Sequence, residues 1–186
     1  MKQPVNFDSM PKDDDLISRI AEGDRDALKL IYDRHAPAMT EFVKKWLGDP
    51  SEAADVTHEA MMEINRSAKN FAGRSSAKTW MFSIARFKAV DRTRKGSKTV
   101  VQDVDIEIAD EAPDPLAVTE AFQNGVQVRA CIEKLSAPHK SAIHLAFYED
   151  LTYAEISAVE NVPVGTVKTR MMHAKKLLMR CLTAHR

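Results

Sequence analysis

LTYAEISAVENVPVGTVKTRMMHAKKLLMRCL, residues 151–182, decides how this chain folds. Thr152 and Glu155 stand at the cap and third positions of a capping box, in which each side chain satisfies a backbone N–H of the other's turn. The helix they open ends near Glu160, and Asn161-Val162-Pro163-Val164 makes a tight turn. Asparagine tolerates the left-handed conformation that such a turn demands. Gly165 to about Leu182 is then a final helix, with Val167, Met171, Ala174 and Leu178 on one apolar face and Leu177 beside it. Two helices across a short turn, the second basic, have the arithmetic of a helix-turn-helix. Thr166, Lys168, Thr169, Arg170, Met172 and His173 are left to point outward or to the rim. Lysine and arginine can donate to guanine edges or phosphates, threonine can reach a base or backbone oxygen, and methionine can cover a thymine methyl. A terminal helix merely kept soluble by its lysines is the plainer alternative.

Upstream of this unit, Thr119 to Leu135 is amphipathic, and Ser136-Ala137-Pro138 starts a new helix with proline in its first turn. Ile143, Leu145 and Phe147 are its expected anchors. The N-terminal half is also helical. Leu16, Ile17 and Ile20 share a face in a first short helix, and Gly23-Asp24 interrupts it. A second helix starts near Arg25, with Leu28, Leu30, Ile31, Met39, Phe42, Val43, Trp46 and Leu47 at helical spacing. Pro37 is a blemish expected to bend it, and Gly48-Asp49-Pro50 ends it. Ser51 is the expected cap of a third helix that buries Ala53, Val56, Ala60, Met61 and Ile64 and turns Glu52, Asp55, His58, Glu59 and Glu63 outward. After a loop at Phe71–Ser76, a fourth helix from about Ser76 to Lys95 is expected to pack through Trp80, Ile84, Phe87 and Asp91.

The formal net charge is zero, but its distribution is not even. Residues 66–98 hold 10 basic residues against Asp91 alone, and residues 163–186 hold six basic residues and no acid. Residues 99–118 carry six acids and no base, so two basic surfaces are separated by an acidic strip. Val104, Ile106 and Ile108 alternate with acids there, but nothing nearby supplies a partner strand, and a flexible linker is the expectation. The fold class is therefore all-α, with two small helical modules joined by that linker and a helix-turn-helix in the second.

Positive grooves with aromatic platforms hold single-stranded DNA. Phe71, Trp80 and Phe82 lie near Lys78, Arg86 and Lys88, and Gly73 to Ser76 is a plausible pocket edge for an extruded base. Trp80 and Phe82 read equally well as core residues. Catalysis is disfavoured: the six histidines are scattered, and His58-Glu59 lacks the second histidine of a metalloprotease motif. Cys131 and Cys181, 50 residues apart among apolar neighbours, are expected to be reduced packing residues. No apolar run reaches the length of a membrane span and no export signal is visible, so a cytoplasmic protein without membrane insertion is expected. A stand-alone helix-turn-helix regulator would share the second module but have no need of the strand-gripping helix.

Several segments together resemble the sigma factors of the extracytoplasmic-function group, within the sigma-70 superfamily. In the first module they are Leu28 to His35, Gly48 to Val56 and Thr79 to Arg92; in the second, Leu151 to Ile156 and Val164 to Arg170. The resemblance implies an alternative sigma factor that binds core RNA polymerase and directs promoter-specific initiation, for a stress response, under the control of an anti-sigma factor. It assigns residues 1–98 to a region-2-like domain, 99–118 to the linker and 119–186 to a region-4-like domain. Asp55, His58, Glu59 and Glu63 would dock on the polymerase. Phe71, Arg74, Ser75, Lys78, Trp80, Arg86, Lys88 and Arg92 would melt and read the minus-ten element. Thr166, Lys168, Thr169, Arg170, Met172, His173, Lys175 and Lys176 would read the minus-thirty-five element as duplex. The implied partners are core polymerase, promoter DNA both duplex and melted, and an anti-sigma factor, some of which bind zinc. No cofactor and no metal site is implied for this chain itself.

Overall fold

A computed structural model describes residues 11–96 and 125–184. These residues form α1 (Asp13–Ala21), α2 (Arg25–Leu47), α3 (Pro50–Ser67), a 3-10 turn at Ala68–Asn70, α4 (Ala77–Gly96), α5 (Gly125–Glu133), α6 (Ala137–Phe147), α7 (Tyr153–Glu160) and α8 (Val164–Thr183). The architecture is all-α, in two helical modules. The expected linker at 99–118, and the start of the helix expected from Thr119, lie outside the described residues.

Local chemistry explains most boundaries. Asp24 caps α2 by accepting from the N–H groups of Asp26 and Ala27 at 2.9 and 3.1 Å. α2 then continues through Pro37 to Leu47 and stops where Gly48 takes a φ of 77°. The cap of α3 is Asp49, which accepts from Glu52 N at 2.8 Å; it is not the expected Ser51. Pro50 explains the difference: it has no N–H to satisfy and its fixed φ suits the first helical position, so the cap moves one residue upstream of it. Thr152 and Glu155 form the reciprocal capping box of α7, and Asn161 closes that helix in the left-handed region at φ 52° and ψ 49°. The helix-turn-helix is thus α7–Asn161–α8.

In the first module α2, α3 and α4 pack around Ile31, Met39, Phe42, Val43, Val56, Ile64, Met81 and Phe82, all at most 2% exposed. Phe42 and Phe82 meet edge to face at 5.4 Å between centroids. The buried face of α4 is Ala77, Thr79, Met81, Phe82, Ala85 and Ala89, which corrects the expected stripe. Trp80 and Ile84 are half-buried, and Phe87 is 69% exposed. Both stripes repeat at helical spacing, but only the one with Ala85 and Ala89 lets the backbones approach closely. In the second module α8 buries Val167, Met171, Ala174 and Leu178, as its periodicity requires. Ile143 and Leu145 anchor α6 as expected, whereas Phe147 is 61% exposed.

The two modules are not separate bodies. α4 packs on α7 and α2 packs on α6, so one apolar core runs from the first module into the second. At the seam the Phe42 and His144 rings lie 6.0 Å apart.

The cysteine expectation is overturned as well. Cys131 of α5 and Cys181 of α8 form a disulfide, with their Cα atoms 5.8 Å apart. Separation along the chain carries no information about distance in space, and the packing of α5 along α8 closes the gap. Cross-linking residues 50 apart removes loop-closure entropy from the unfolded chain. Excess thiol should therefore lower the unfolding free energy by about 2–4 kcal/mol, measured by denaturant titration. A Cys131→Ser variant should be insensitive to thiol, and an unchanged midpoint in the wild type would refute this contribution.

Candidate nucleic-acid interface

The polar side of α3 is an outward surface. Asp55, His58 and Glu59 are exposed and Glu63 is half-buried. Glu59 pairs with Arg92 and Glu63 with Lys88, both from α4, at 2.5 and 3.5 Å. The carboxylates of these pairs are open to solvent, and exposed pairs are worth roughly 0–1 kcal/mol, so they exchange readily for a partner's groups. Met62, 47% exposed, lies one helical step from both His58 and Glu59, and the exposed Tyr32 meets the His58 ring edge-on at 6.4 Å. Both apolar members were missing from the set read from sequence. The i+3 and i+4 spacing from Asp55, His58 and Glu59 would have found Met62.

The loop at Phe71–Ser76 joins the 3-10 turn at Ala68–Asn70 to the start of α4. Phe71 and Trp80 face each other across its neck with ring centroids 5.0 Å apart, both half-buried against the core. Gly73 turns the loop with a φ of 65°, Arg74 is exposed and Ser75 half-buried. Ser76 caps α4: its hydroxyl accepts from Thr79 N at 3.2 Å. The start of α4 is further held by Asp14 of α1, which accepts from Ala77 N at 2.8 Å. Its neighbour Asp13 binds Arg34 and accepts from His35 Nε2 at 2.8 Å. Burial pushes the Asp13 carboxyl up, but His35 and Arg34 outweigh it and hold the group below the usual carboxylate range.

Two further basic residues of α4, Lys78 and Arg86, meet acids of the second module. Lys78 Nζ lies 2.8 Å from the Glu149 carboxylate and donates to the Glu149 carbonyl at 2.8 Å. Burial raises the Glu149 carboxyl, and His144 and Lys78 together bring it below its usual range. Thr79 Oγ1 donates to Glu155 at 3.3 Å. Arg86 covers the Trp46 ring at 4.8 Å and donates through Nε to Glu160 at 3.1 Å. Glu160 is 1% exposed; it also accepts from Ser141 Oγ and lies 3.5 Å from Arg170 Nη1. One buried carboxylate thus binds an arginine from each module.

On α8, Lys168, Thr169, Met172 and Lys175 are exposed together, with Thr166, His173 and Lys176 at the half-buried rims. Lys175 extends over the Phe147 ring at 6.0 Å. Arg170 does not join them: it is 8% exposed and turned toward Glu160. Position 170 is three residues after Val167 and four before Ala174, on the buried face. Glu160, four residues after the buried Ile156, is the group that sequence reading missed; a carboxylate on a buried face implies a cation beside it. Among the described residues no three His, Cys, Asp or Glu side chains converge as a metal site, and no helix is long and apolar enough to cross a membrane.

Residues 31–99 match the family described as Sigma-70 region 2, and residues 125–178 match the one described as Sigma-70, region 4. The chain is 30% identical over 177 residues to the ECF RNA polymerase sigma factor SigK of Mycobacterium ulcerans, covering 91% of this chain and 92% of that protein. It is 27% identical over 183 residues to the RNA polymerase sigma-H factor of Pseudomonas aeruginosa, covering 92% and 94%. Among solved structures, CnrH in complex with the cytosolic domain of CnrY gives a TM-score of 0.67 at 19% identity, covering 94% of this chain and 99% of that one. The sigma factor RpoE of Bartonella quintana, in complex with the anti-sigma factor NepR, gives 0.63 at 21%, covering 85% and 98%. At these identities the two structures establish likeness of fold.

Proposed function

The chain belongs to the ECF sigma factors of RNA polymerase, non-catalytic alternative sigma factors of stress responses, and from that membership we propose how its surfaces divide the work. It binds RNA polymerase and is partnered by an anti-sigma factor. Asp55, His58 and Glu59, with the neighbouring Met62 and Tyr32, form the polymerase-docking face. The Phe71–Ser76 loop, closed by the Phe71–Trp80 pair, holds the displaced minus-ten strand, because stacking faces beside cations suit unpaired bases. Lys168, Thr169, Met172 and Lys175 enter the major groove at the minus-thirty-five element. The observation that supports this reading is the presence in one chain of two distinct exposed surfaces, a loop closed by an aromatic pair and the outer face of α8.

Arg86 and Arg170 add a condition. Both are bound to Glu160 in this arrangement; Arg86 becomes available to DNA only when α7 leaves α4, whereas Arg170 stays beside Glu160 within the second module. The closed packing is accordingly read as a resting form, and the polymerase-bound form as one with the modules apart.

Reconstitution with core polymerase on a promoter library tests the whole. Promoter-specific transcripts should require the chain and the core together. Sequence-specific duplex binding by the chain alone, without any effect on initiation, would establish a stand-alone regulator. The docking face has its own test. Asp55→Lys with Glu59→Lys should weaken core affinity by roughly tenfold or more, since reversed charge on a complementary surface costs several kcal/mol. Helical content should be unchanged, because both side chains lie outside the core. Equal core affinity of wild type and double variant would sink the assignment.

A further inference from the structure

The first turn of α1 holds three consecutive aspartates, and two of them have divided duties. Asp13 ties α1 to α2 through Arg34 and His35, and Arg34 adds a 3.1 Å bond to the Pro11 carbonyl. Asp14 reaches in another direction, across 63 residues of sequence, to the first amide of α4. This bond serves no need of α1, whose own N-terminus has no side-chain cap. It serves α4, whose first N–H groups have no partner within the helix and carry the positive end of its dipole.

α1 also packs against the 3-10 turn at Ala68–Asn70. The loop at Phe71–Ser76 therefore springs from two points that both rest on α1. Ala68 before it and Ala77 after it are buried at 3% and 1%. Phe71 N donates to Ala68 O at 3.1 Å on the near side, and Ala77 N donates to Asp14 on the far side. The loop itself is exposed or half-buried and has few bonds of its own, so its shape follows from where its two ends are held.

We propose that Asp14 is a positioning residue for minus-ten recognition: by capping Ala77 it fixes the start of α4, and with it the distance and tilt between Phe71 and Trp80 on which an unpaired base is held. The proposal rests on the assignment of that loop to the displaced strand. Asp14 acts without touching DNA, through Ala77, Ser76 and Trp80. A helix whose first turn drifts would let the Ser76 cap and the Trp80 ring adopt several poses, and a base pocket with several poses discriminates poorly.

The test compares holoenzymes carrying wild type, Asp14→Ala, Asp14→Asn and Arg74→Ala on promoters with each minus-ten position substituted in turn. Core affinity, dependence on the minus-thirty-five element and hydrogen exchange at the Ala77 amide are measured alongside. Asp14→Ala should lower discrimination between the preferred and substituted minus-ten elements by about threefold to tenfold, the range set by loss of one helix cap. The Ala77 amide should exchange faster, while core affinity and minus-thirty-five dependence stay put. Asp14→Asn should restore both, because its amide oxygen can accept the same bond. Arg74→Ala should reduce discrimination whatever residue 14 is. Unaltered discrimination in Arg74→Ala would remove the loop as reader, and the proposal with it. Altered discrimination in Arg74→Ala beside unaltered discrimination in Asp14→Ala would overturn the role of Asp14 alone. A parallel fall in core affinity and minus-thirty-five dependence, without rescue by asparagine, would make Asp14 a fold residue and overturn it too.

Discussion

Glu160→Gln should lower the stability of the free chain by about 3–5 kcal/mol, because removing one partner of a buried ion pair leaves the other charge uncompensated. Two cations are affected here. Arg170 has a side chain 10% exposed and Arg86 one 19% exposed, and both face a carboxylate with no exposure at all. Glutamine keeps the shape of the side chain and can still accept from Ser141, so the loss reports the charge and not a cavity. Arg86 can swing out toward solvent once α7 and α4 part, whereas Arg170 belongs to the same module as Glu160 and has less freedom to do so. The stability loss should therefore come with separation of the modules, visible as an increased distance between labels on α3 and α8. Pairing Glu160→Gln with Arg170→Met should recover part of the loss, since the second change removes a cation that faced the carboxylate. Denaturant unfolding of the singles and the double measures this coupling. A glutamine variant within about 1 kcal/mol of wild type would show that the carboxylate contributes little net stability, as some buried pairs do.

Variants of the two proposed DNA surfaces should fail at different steps. Truncating Lys168, Thr169 and Met172 should weaken the closed complex, because a specific contact in the major groove is worth roughly 1–3 kcal/mol and these side chains stand exposed together on α8. Truncating Phe71, Arg74 and Lys88 should spare duplex engagement and impair opening, since base stacking on an aromatic ring is worth about 1–3 kcal/mol per base. Arg86 and Arg170 are better left out of both sets, because their loss would disturb the seam at Glu160 as well as any DNA contact. A template with an artificial minus-ten bubble removes base-pair disruption from the work required. It should restore open-complex formation to the loop variants by an order of magnitude more than to the α8 variants. Permanganate footprinting on intact and bubble templates, at polymerase concentrations saturating for core binding, makes the comparison. Equal rescue of both groups would defeat the division into duplex and single-strand duties.

The helices, the capping box at Thr152–Glu155 and the turn at Asn161 were legible along the chain because each depends on neighbours within a few residues. So was the apolar face of α8, where a single stripe of Val167, Met171, Ala174 and Leu178 has no competitor. On α4 two apolar stripes compete, and periodicity cannot choose between them; the facing surfaces of α2 and α3 do, by admitting the small Ala85 and Ala89 and leaving Phe87 outside. Charge was legible as blocks but not as pairs.

By itself, then, the sequence determined an all-α chain of two modules with a helix-turn-helix at its end, the outward acids of α3 and most of the exposed face of α8. Only the tertiary structure decided that the modules share one core, that Glu160 holds Arg86 and Arg170 together, that Asp14 caps Ala77 and that Cys131 meets Cys181. The reason is one of range. Helical periodicity and capping are set by bonds between residues a turn apart, whereas a buried ion pair, a cap drawn from another helix and a disulfide depend on the angle and offset at which whole helices meet. Those are fixed by the sum of packing over the entire core.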